Sequence, residues 1–161
     1  MAILASAGLA RAEASAQFRV RLDTTKGAIV IEVHRDWAPH GADRFYDLVR
    51  RGCYDDSRFF RVVAGKWAQF GIAGDPHVAR RWRAETIPDD PPKAPNVAGA
   101  AAFAVANGRT TQVFINLADN SGTLDAQGFA PFGRIVEGMD VVEALVNDPR
   151  GTGLIAFLTI G

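Results

Sequence analysis

Cysteine is nearly missing from this chain. Cys53 is alone among 161 residues, so no intrachain disulfide can staple the fold and no paired-thiol metal or redox motif can form. A charge imbalance is missing too: Lys plus Arg equals Asp plus Glu at 18 each. No net field recruits nucleic acid or an anionic membrane. The one basic knot, Arg80-Arg81-Trp82-Arg83, reads as a solvated turn or helix face. No apolar run approaches the roughly 20 residues of a membrane-spanning helix, and there is no repeat or low-complexity tract.

Reactive constellations are equally scarce. His34, His40 and His77 lack metal-ligand spacing. Gly65-Lys66 has no upstream glycine of a phosphate-binding loop, and Trp67 stands where such a loop needs Ser or Thr. No Gly-x-Ser-x-Gly elbow occurs. Asp89 and Asp90 lie among prolines and read as turn formers rather than an acid/base pair. Covalent, metal and nucleotide chemistry are therefore not expected, nor is a cofactor, a nucleic-acid partner or membrane insertion.

What is present fits one globular domain: 48% hydrophobic and 22% charged residues, in a chain long enough for a real core. The domain is expected over residues 17–161, with 1–16 as a leader or a disordered tail. Within that segment, Ile3 to Ala10 is a short apolar run, and Ala14-Ser15-Ala16 has the small-x-small form of a signal-peptidase site. No Lys or Arg precedes the run. A periplasmic or secreted location is the expectation, with a cytoplasmic one as the alternative.

Taken in order, Phe18 to Leu22 alternates with period 2, and Ala28 to Val33 is a second run rich in β-branched residues. The turn at 24–27 joins them as a hairpin, with Gly27 at positive φ. Pro39 opens a helix carrying Ala42, Phe45, Leu48 and Val49 at helical spacing, and Gly52 ends it. His77 to Gly99, with Pro88, Pro91, Pro92 and Pro95, reads as loop. Ala100 to Ala106 reads as strand, Asn107-Gly108 as a turn, Asp119 to Gly128 as a polar loop, and Phe132 to Val136 as strand. Met139, Val142, Leu145 and Val146 give a second short helix, and Leu154 to Ile160 a closing strand. About eight short strands and two short helices predict an all-β, closed antiparallel barrel.

Two strands carry their side chains oddly. In Phe59 to Pro76, alternation puts Phe60 and Val62 on one face and Phe59, Arg61 and Val63 on the other. After the turn at Ala64-Gly65, Ala68, Phe70 and Ile72 form an apolar row, with Trp67 and Gln69 opposite. In Thr110 to Asn116, Val113, Ile115 and Leu117 make the core row, so Gln112, Phe114 and Asn116 face outward. Arginine and aromatics on a face turned from the core point to a binding surface, against cross-strand packing as the plainer reading.

In order, the chain carries Phe59-Phe60-Arg61-Val62, Gln69-Phe70-Gly71, Gly74-Asp75-Pro76, Gln112-Val113-Phe114-Ile115-Asn116 and Phe132-Gly133-Arg134-Ile135-Val136-Glu137-Gly138-Met139-Asp140. This set resembles the cyclophilin-type peptidyl-prolyl cis-trans isomerases, most closely the bacterial branch, from about Phe18 to the C-terminus. The resemblance implies a helix-capped barrel with its active face outside. It also implies isomerisation of Xaa–Pro bonds in folding, proline-containing polypeptides, a chaperone-like role. Residue by residue, Arg61 matches the catalytic arginine and Phe114 the aromatic wall of the proline pocket. Gln69 and Gln112 match the glutamines around the substrate backbone, Ala104 the small residue beside it, and Leu124 the pocket leucine. Phe129 stands where eukaryotic members have histidine.

Two departures fall in the pocket. Lys66 replaces the usual aromatic wall, and Trp67, in place of a medium-sized apolar residue, could rebuild the wall or block it. Thr123 stands where cyclosporin-sensitive members have tryptophan, so weak cyclosporin binding is expected, by a monomer. The alternative is a cyclophilin-like module that holds proline-containing segments or a partner without efficient turnover. A small-ligand-binding barrel is a third option, excluded if the interior is filled.

Overall fold

The structure is a computed structural model and describes residues 15–105, 108–146 and 154–161. The leader reading (apart from its last two residues), the end of the strand at Ala106 and the turn residue Asn107 lie outside the described residues. The hairpin forms as its turn chemistry requires. Strand β1 (Gln17–Thr24) pairs antiparallel with β2 (Gly27–His34), and Gly27 takes φ +132 opposite Thr24. Phe18, Val20 and Leu22 alternate inward from β1, against Ile29, Ile31 and Val33 of β2.

Helix α1 (Pro39–Arg50) buries Ala42, Phe45, Leu48 and Val49 and is followed by Gly52 at φ +66. Its N-cap, Ala38, has no side chain to offer the free N–H groups of the first turn. Asp90 supplies it from 50 residues downstream, accepting from His40 N at 3.1 Å and Gly41 N at 2.9 Å. A cap is worth about 1 kcal/mol, less than the roughly 1.5–3 kcal/mol from burying Phe45 alone. Burial therefore makes the helix, and Asp90 sets where it starts. Asp89, its neighbour, pairs with Arg109.

After α1, β3 (Ser57–Arg58), β4 (Arg61–Val63) and β5 (Trp67–Phe70) follow, then helix α2 (Pro76–Trp82), β6 (Ala100–Phe103), β7 (Val113–Asn116), a one-turn helix α3 (Ser121–Leu124), β8 (Gly133–Glu137), α4 (Met139–Val146) and β9 (Leu154–Ile160). The fold is mainly β. Its nine described strands form one antiparallel sheet in the order β3-β9-β1-β2-β8-β6-β7-β5-β4.

The expected closed barrel is corrected to an open, strongly curled sheet: among the described residues no ladder joins β3 to β4. These two edge strands are consecutive in the chain, separated only by Phe59 and Phe60. A segment that does not reverse cannot pair with itself, so one bent stretch hangs on β9 at its start and on β5 at its end. The curl is thus bridged by two residues of backbone rather than by hydrogen bonds.

That bend overturns the strict alternation expected at residues 59–63. Phe59 turns into the core against Phe70, ring centroids 5.2 Å apart, while Phe60 is 39% exposed and Arg61 faces out. Ile72, expected in the core row, lies beyond the end of β5 and is 43% exposed. Asn116 does lie opposite Val113 and Ile115, but it is fully buried.

Four helices are described where two were expected. α2 occupies the start of the expected 77–99 loop because Asp75 caps it, its carboxylate accepting from His77 N at 2.8 Å, with Pro76 in the first turn. It buries no residue fully, so there was no apolar stripe to read. Arg80 and Arg81 of the basic knot are exposed on it and Arg83 is exposed at its C-cap, while the Trp82 ring centroid lies 5.0 Å from the Arg44 guanidinium carbon. α3 is too short for a periodic pattern.

The interior is filled by Phe45, Tyr54, Phe59, Phe70 and Phe132 with the aliphatic rows, which removes the ligand-binding barrel. The Tyr54 hydroxyl, fully buried, donates to the Thr111 carbonyl at 2.7 Å, and burial pushes its pKa well up. On the outer face of β2, Glu32 accepts from His34 (2.8 Å), Arg19 (3.2 Å) and Arg134 (3.2 Å), joining β1, β2 and β8. These bonds, that from His34 foremost, hold its carboxyl below the ordinary value of 4.5. Its ionised form thus adds stability above that value, and the contribution is lost as pH falls through the lower folded-state pKa. Glu32→Gln is expected to lower Tm at pH 7, and the gap to wild type to close as pH drops below about 4.5. Thermal scans across that range check it.

Candidate active site

Strand register places the outer-face residues in a row. Arg61 of β4 pairs with Gln69 of β5, Gln69 with Phe114 of β7, and Phe114 with Ala102 of β6. Directly paired residues point to the same side of a sheet, so all four stand on one face, opposite the core. There Ala102, Phe114 and Leu124 form a second, smaller apolar cluster with Trp67, Ala104 and Phe129 against it. The Phe114 ring lies 5.6 Å from Phe129, edge-on at 82°, and 6.2 Å from Trp67 at 59°.

These side chains surround a cavity of about 130 Å³, lined by Arg61, Trp67, Gln69, Ala104, Val105, Phe114, Leu124 and Phe129. An apolar cavity of roughly 150 Å³ accommodates benzene, so the space suits a five-membered ring. Among the described residues the lining is aromatic and aliphatic, with Arg61 and Gln69 as its polar groups and no carboxylate. Gln69 is 7% exposed and donates through Nε2 to Gln112 Oε1 at 2.8 Å, which fixes both amides. Arg61 is exposed and, among the described residues, has no ion-pair partner; its guanidinium carbon lies 5.9 Å from the Trp67 ring centroid. A charged donor beside an apolar pocket, with fixed amides next to it, can hold a ring and aim a hydrogen bond at it.

Seven of the residues expected from sequence thus line one cavity: Arg61, Trp67, Gln69, Ala104, Phe114, Leu124 and Phe129. Gln112 adjoins it through Gln69. Lys66 is placed differently from the expectation that it forms the wall. Its main chain is held in the turn, where N donates to Val63 O at 3.0 Å and O accepts from Leu117 N at 2.8 Å. Its side chain is exposed, with Nζ 5.8 Å from the Trp67 ring centroid. Trp67 is the wall, and it lines the cavity rather than filling it. Val105, half exposed, was missed: one valine at a strand exit carries no sequence signal.

A buried polar frame supports the outer cluster. Asn96, fully buried, donates through Nδ2 to Asp125 Oδ1 (2.8 Å) and the Phe129 carbonyl (2.9 Å), and its Oδ1 accepts from Asn116 Nδ2 at 3.1 Å. Asn116 Oδ1 accepts from Asn120, whose Nδ2 also donates to the Lys66 carbonyl at 2.8 Å. One amide chain therefore runs from the turn before Trp67 to the backbone of Phe129, tying opposite walls together. Arg109 braces Phe129 from outside, donating to the Gly128 carbonyl at 2.9 Å with its guanidinium carbon 5.7 Å from the ring centroid.

The family model for cyclophilin type peptidyl-prolyl cis-trans isomerase/CLD matches residues 19–153. The chain belongs to this family. Among curated relatives, a peptidyl-prolyl cis-trans isomerase of Acinetobacter baylyi is 32% identical over 160 residues, covering 94% of this chain and 84% of that one. Peptidyl-prolyl cis-trans isomerase B of Escherichia coli is 33% identical over 142 residues, covering 82% and 86%. Among solved structures, a cyclophilin type isomerase of Cryptosporidium parvum superposes with TM-score 0.74 at 21% identity, over 90% of this chain and 98% of that one. The same isomerase solved in the presence of the dipeptide Ala-Pro also gives 0.74 at 21% identity, covering 89% and 98%. The bacterial relatives agree with the branch expected from sequence, and the cyclophilin fold with the curled sheet.

Asn96→Ala removes both donated bonds and leaves the buried Asn116 amide without one acceptor. A loss of about 1–3 kcal/mol is expected, which calorimetry would register as a fall in Tm of roughly 2–4 °C per kcal/mol in a chain of this size.

Proposed function

We propose that the outer cavity catalyses cis–trans isomerisation of Xaa–Pro bonds in polypeptides, with Phe114, Trp67, Leu124 and Phe129 holding the proline ring and Arg61 as the catalytic donor. The observation that carries this is Arg61, exposed and without a carboxylate partner among the described residues, on the rim of an aromatic cavity.

The reaction needs neither nucleophile nor proton transfer. Its barrier of roughly 18–20 kcal/mol is amide resonance, lost as the bond twists. Twisting moves electron density back onto the proline nitrogen as a lone pair. A guanidinium N–H aimed at that nitrogen bonds strongly only in the twisted state, so it lowers the barrier rather than deepening the ground state. The apolar wall favours the twisted amide as well, because it is less polar than the planar one. Gln69 and Gln112, locked to each other, are placed to receive the substrate backbone, beside the small side chain of Ala104. An acceleration of ~10⁵ requires about 7 kcal/mol, within reach of one charged donor and desolvation together. The same reading takes the protein as a monomer acting on folding chains.

Arg61→Ala is expected to lower kcat/KM for an Ala-Pro-Phe-type peptide by roughly 10²–10³-fold, the usual loss of one donor to developing charge. Stopped-flow isomerisation measures it. Peptide binding by folded wild type without any acceleration would replace the enzyme by a holding module. Thr123 is exposed on α3, beside Leu124, and offers no indole to an apolar cyclic peptide. Titration is expected to give cyclosporin affinity well below that of tryptophan-bearing relatives, and a tight complex would refute this.

A further inference from the structure

Two cations flank one indole at the cavity rim. The guanidinium carbon of Arg61 and Nζ of Lys66 lie 5.9 and 5.8 Å from the centroid of Trp67. Both side chains are exposed, and among the described residues neither has a carboxylate partner. Among the described residues the cavity lining contains no Asp or Glu. Asp119, near the Lys66 turn through its neighbour Asn120, has its Oδ1 engaged by the backbone N (3.0 Å) and Oγ (2.6 Å) of Ser121. The root of Lys66 is also fixed, since its carbonyl accepts from both Leu117 and Asn120. Both charges therefore lie on the Trp67 side of the pocket.

We propose that this rim makes the site selective for Xaa–Pro segments with an acidic side chain next to the proline. The inference rests on the isomerase reading and names its substrate class. A proline ring on Phe114 brings its chain neighbours past Trp67. A carboxylate there sits within a Debye length, roughly 8–10 Å, of both cations, with no acidic lining to repel it. A lysine in the same place meets two like charges. Arg61 alone would bias the site weakly; Lys66 adds the second charge.

An exposed pair changes affinity by a few-fold, so attraction for Glu and repulsion of Lys together give about tenfold. The test uses the full chain and acetylated, amidated peptides with Glu, Ala or Lys immediately before the proline, and a second series with the same residues immediately after it. NMR exchange gives kcat/KM without a coupling protease. In one series or both, Glu is expected to exceed Lys by about tenfold, the ratio shrinking in 1 M NaCl. Lys66→Met, which keeps the alkyl stem over Trp67, is expected to cut the Glu-to-Lys ratio by roughly threefold. Equal rates for Glu and Lys in both series, or a ratio that survives Lys66→Met or high salt, would overturn the proposal while leaving the isomerase intact. Absence of acceleration on every peptide would instead overturn the isomerase reading.

Discussion

The register of four strands is the constraint on which the site depends. Arg61, Gln69, Phe114 and Ala102 are brought abreast by the ladders β4–β5, β5–β7 and β7–β6. Side chains alternate with period 2, so a slip of one residue in β5 would turn Trp67 and Gln69 toward the core and Ala68 and Phe70 away from it. The core row Ala68, Phe70, Val113 and Ile115, all at 0% exposure, forbids that slip. The same apolar residues that stabilise the sheet thus aim the polar ones, and the outer face is specified by what lies behind it.

A second support works across the outer cluster. Apolar contact alone would let Trp67 and Phe129 adjust independently, because aromatic pairing tolerates a range of angles. The asparagine chain from the Lys66 carbonyl through Asn120, Asn116 and Asn96 to the Phe129 carbonyl narrows that freedom. Such a network is strict because each buried amide left unpaired is costly. It fixes the width of the pocket by hydrogen-bond geometry rather than by packing.

Much of this was legible in the sequence, for identifiable reasons. The hairpin at Gly27, the helix from Pro39 to the stop at Gly52 and the closing strand at Leu154–Ile160 each follow a local rule. So does the outward face of Trp67, Gln69 and Phe114, read from alternation. What was not legible is non-local or aperiodic. Asp90 caps α1 across 50 residues, and nothing in Pro-Asp-Asp-Pro-Pro announces it. Asn116 is polar on an outward face, yet loops cover it, and only the tertiary fold could reveal its burial. At Phe59 the bend breaks period 2, so the face assignment inverted there while holding from Trp67 to Phe70.

The bent stretch Ser57–Val63 matters for how the molecule could be reconnected. Its two middle residues, Phe59 and Phe60, are the only tie between the outer strands of the curled sheet among the described residues. New termini placed there would free two edge strands that are already unpaired on their outer sides, each a template for another chain, right beside Arg61. The Ala64-Gly65 turn is a different matter. It is exposed, and a Cβ added at Gly65 would meet nothing within 4 Å. A circular permutant opened at that turn keeps the bridge whole, whereas one opened at Phe59 cuts it and leaves the core and the remaining ladders to hold the curl.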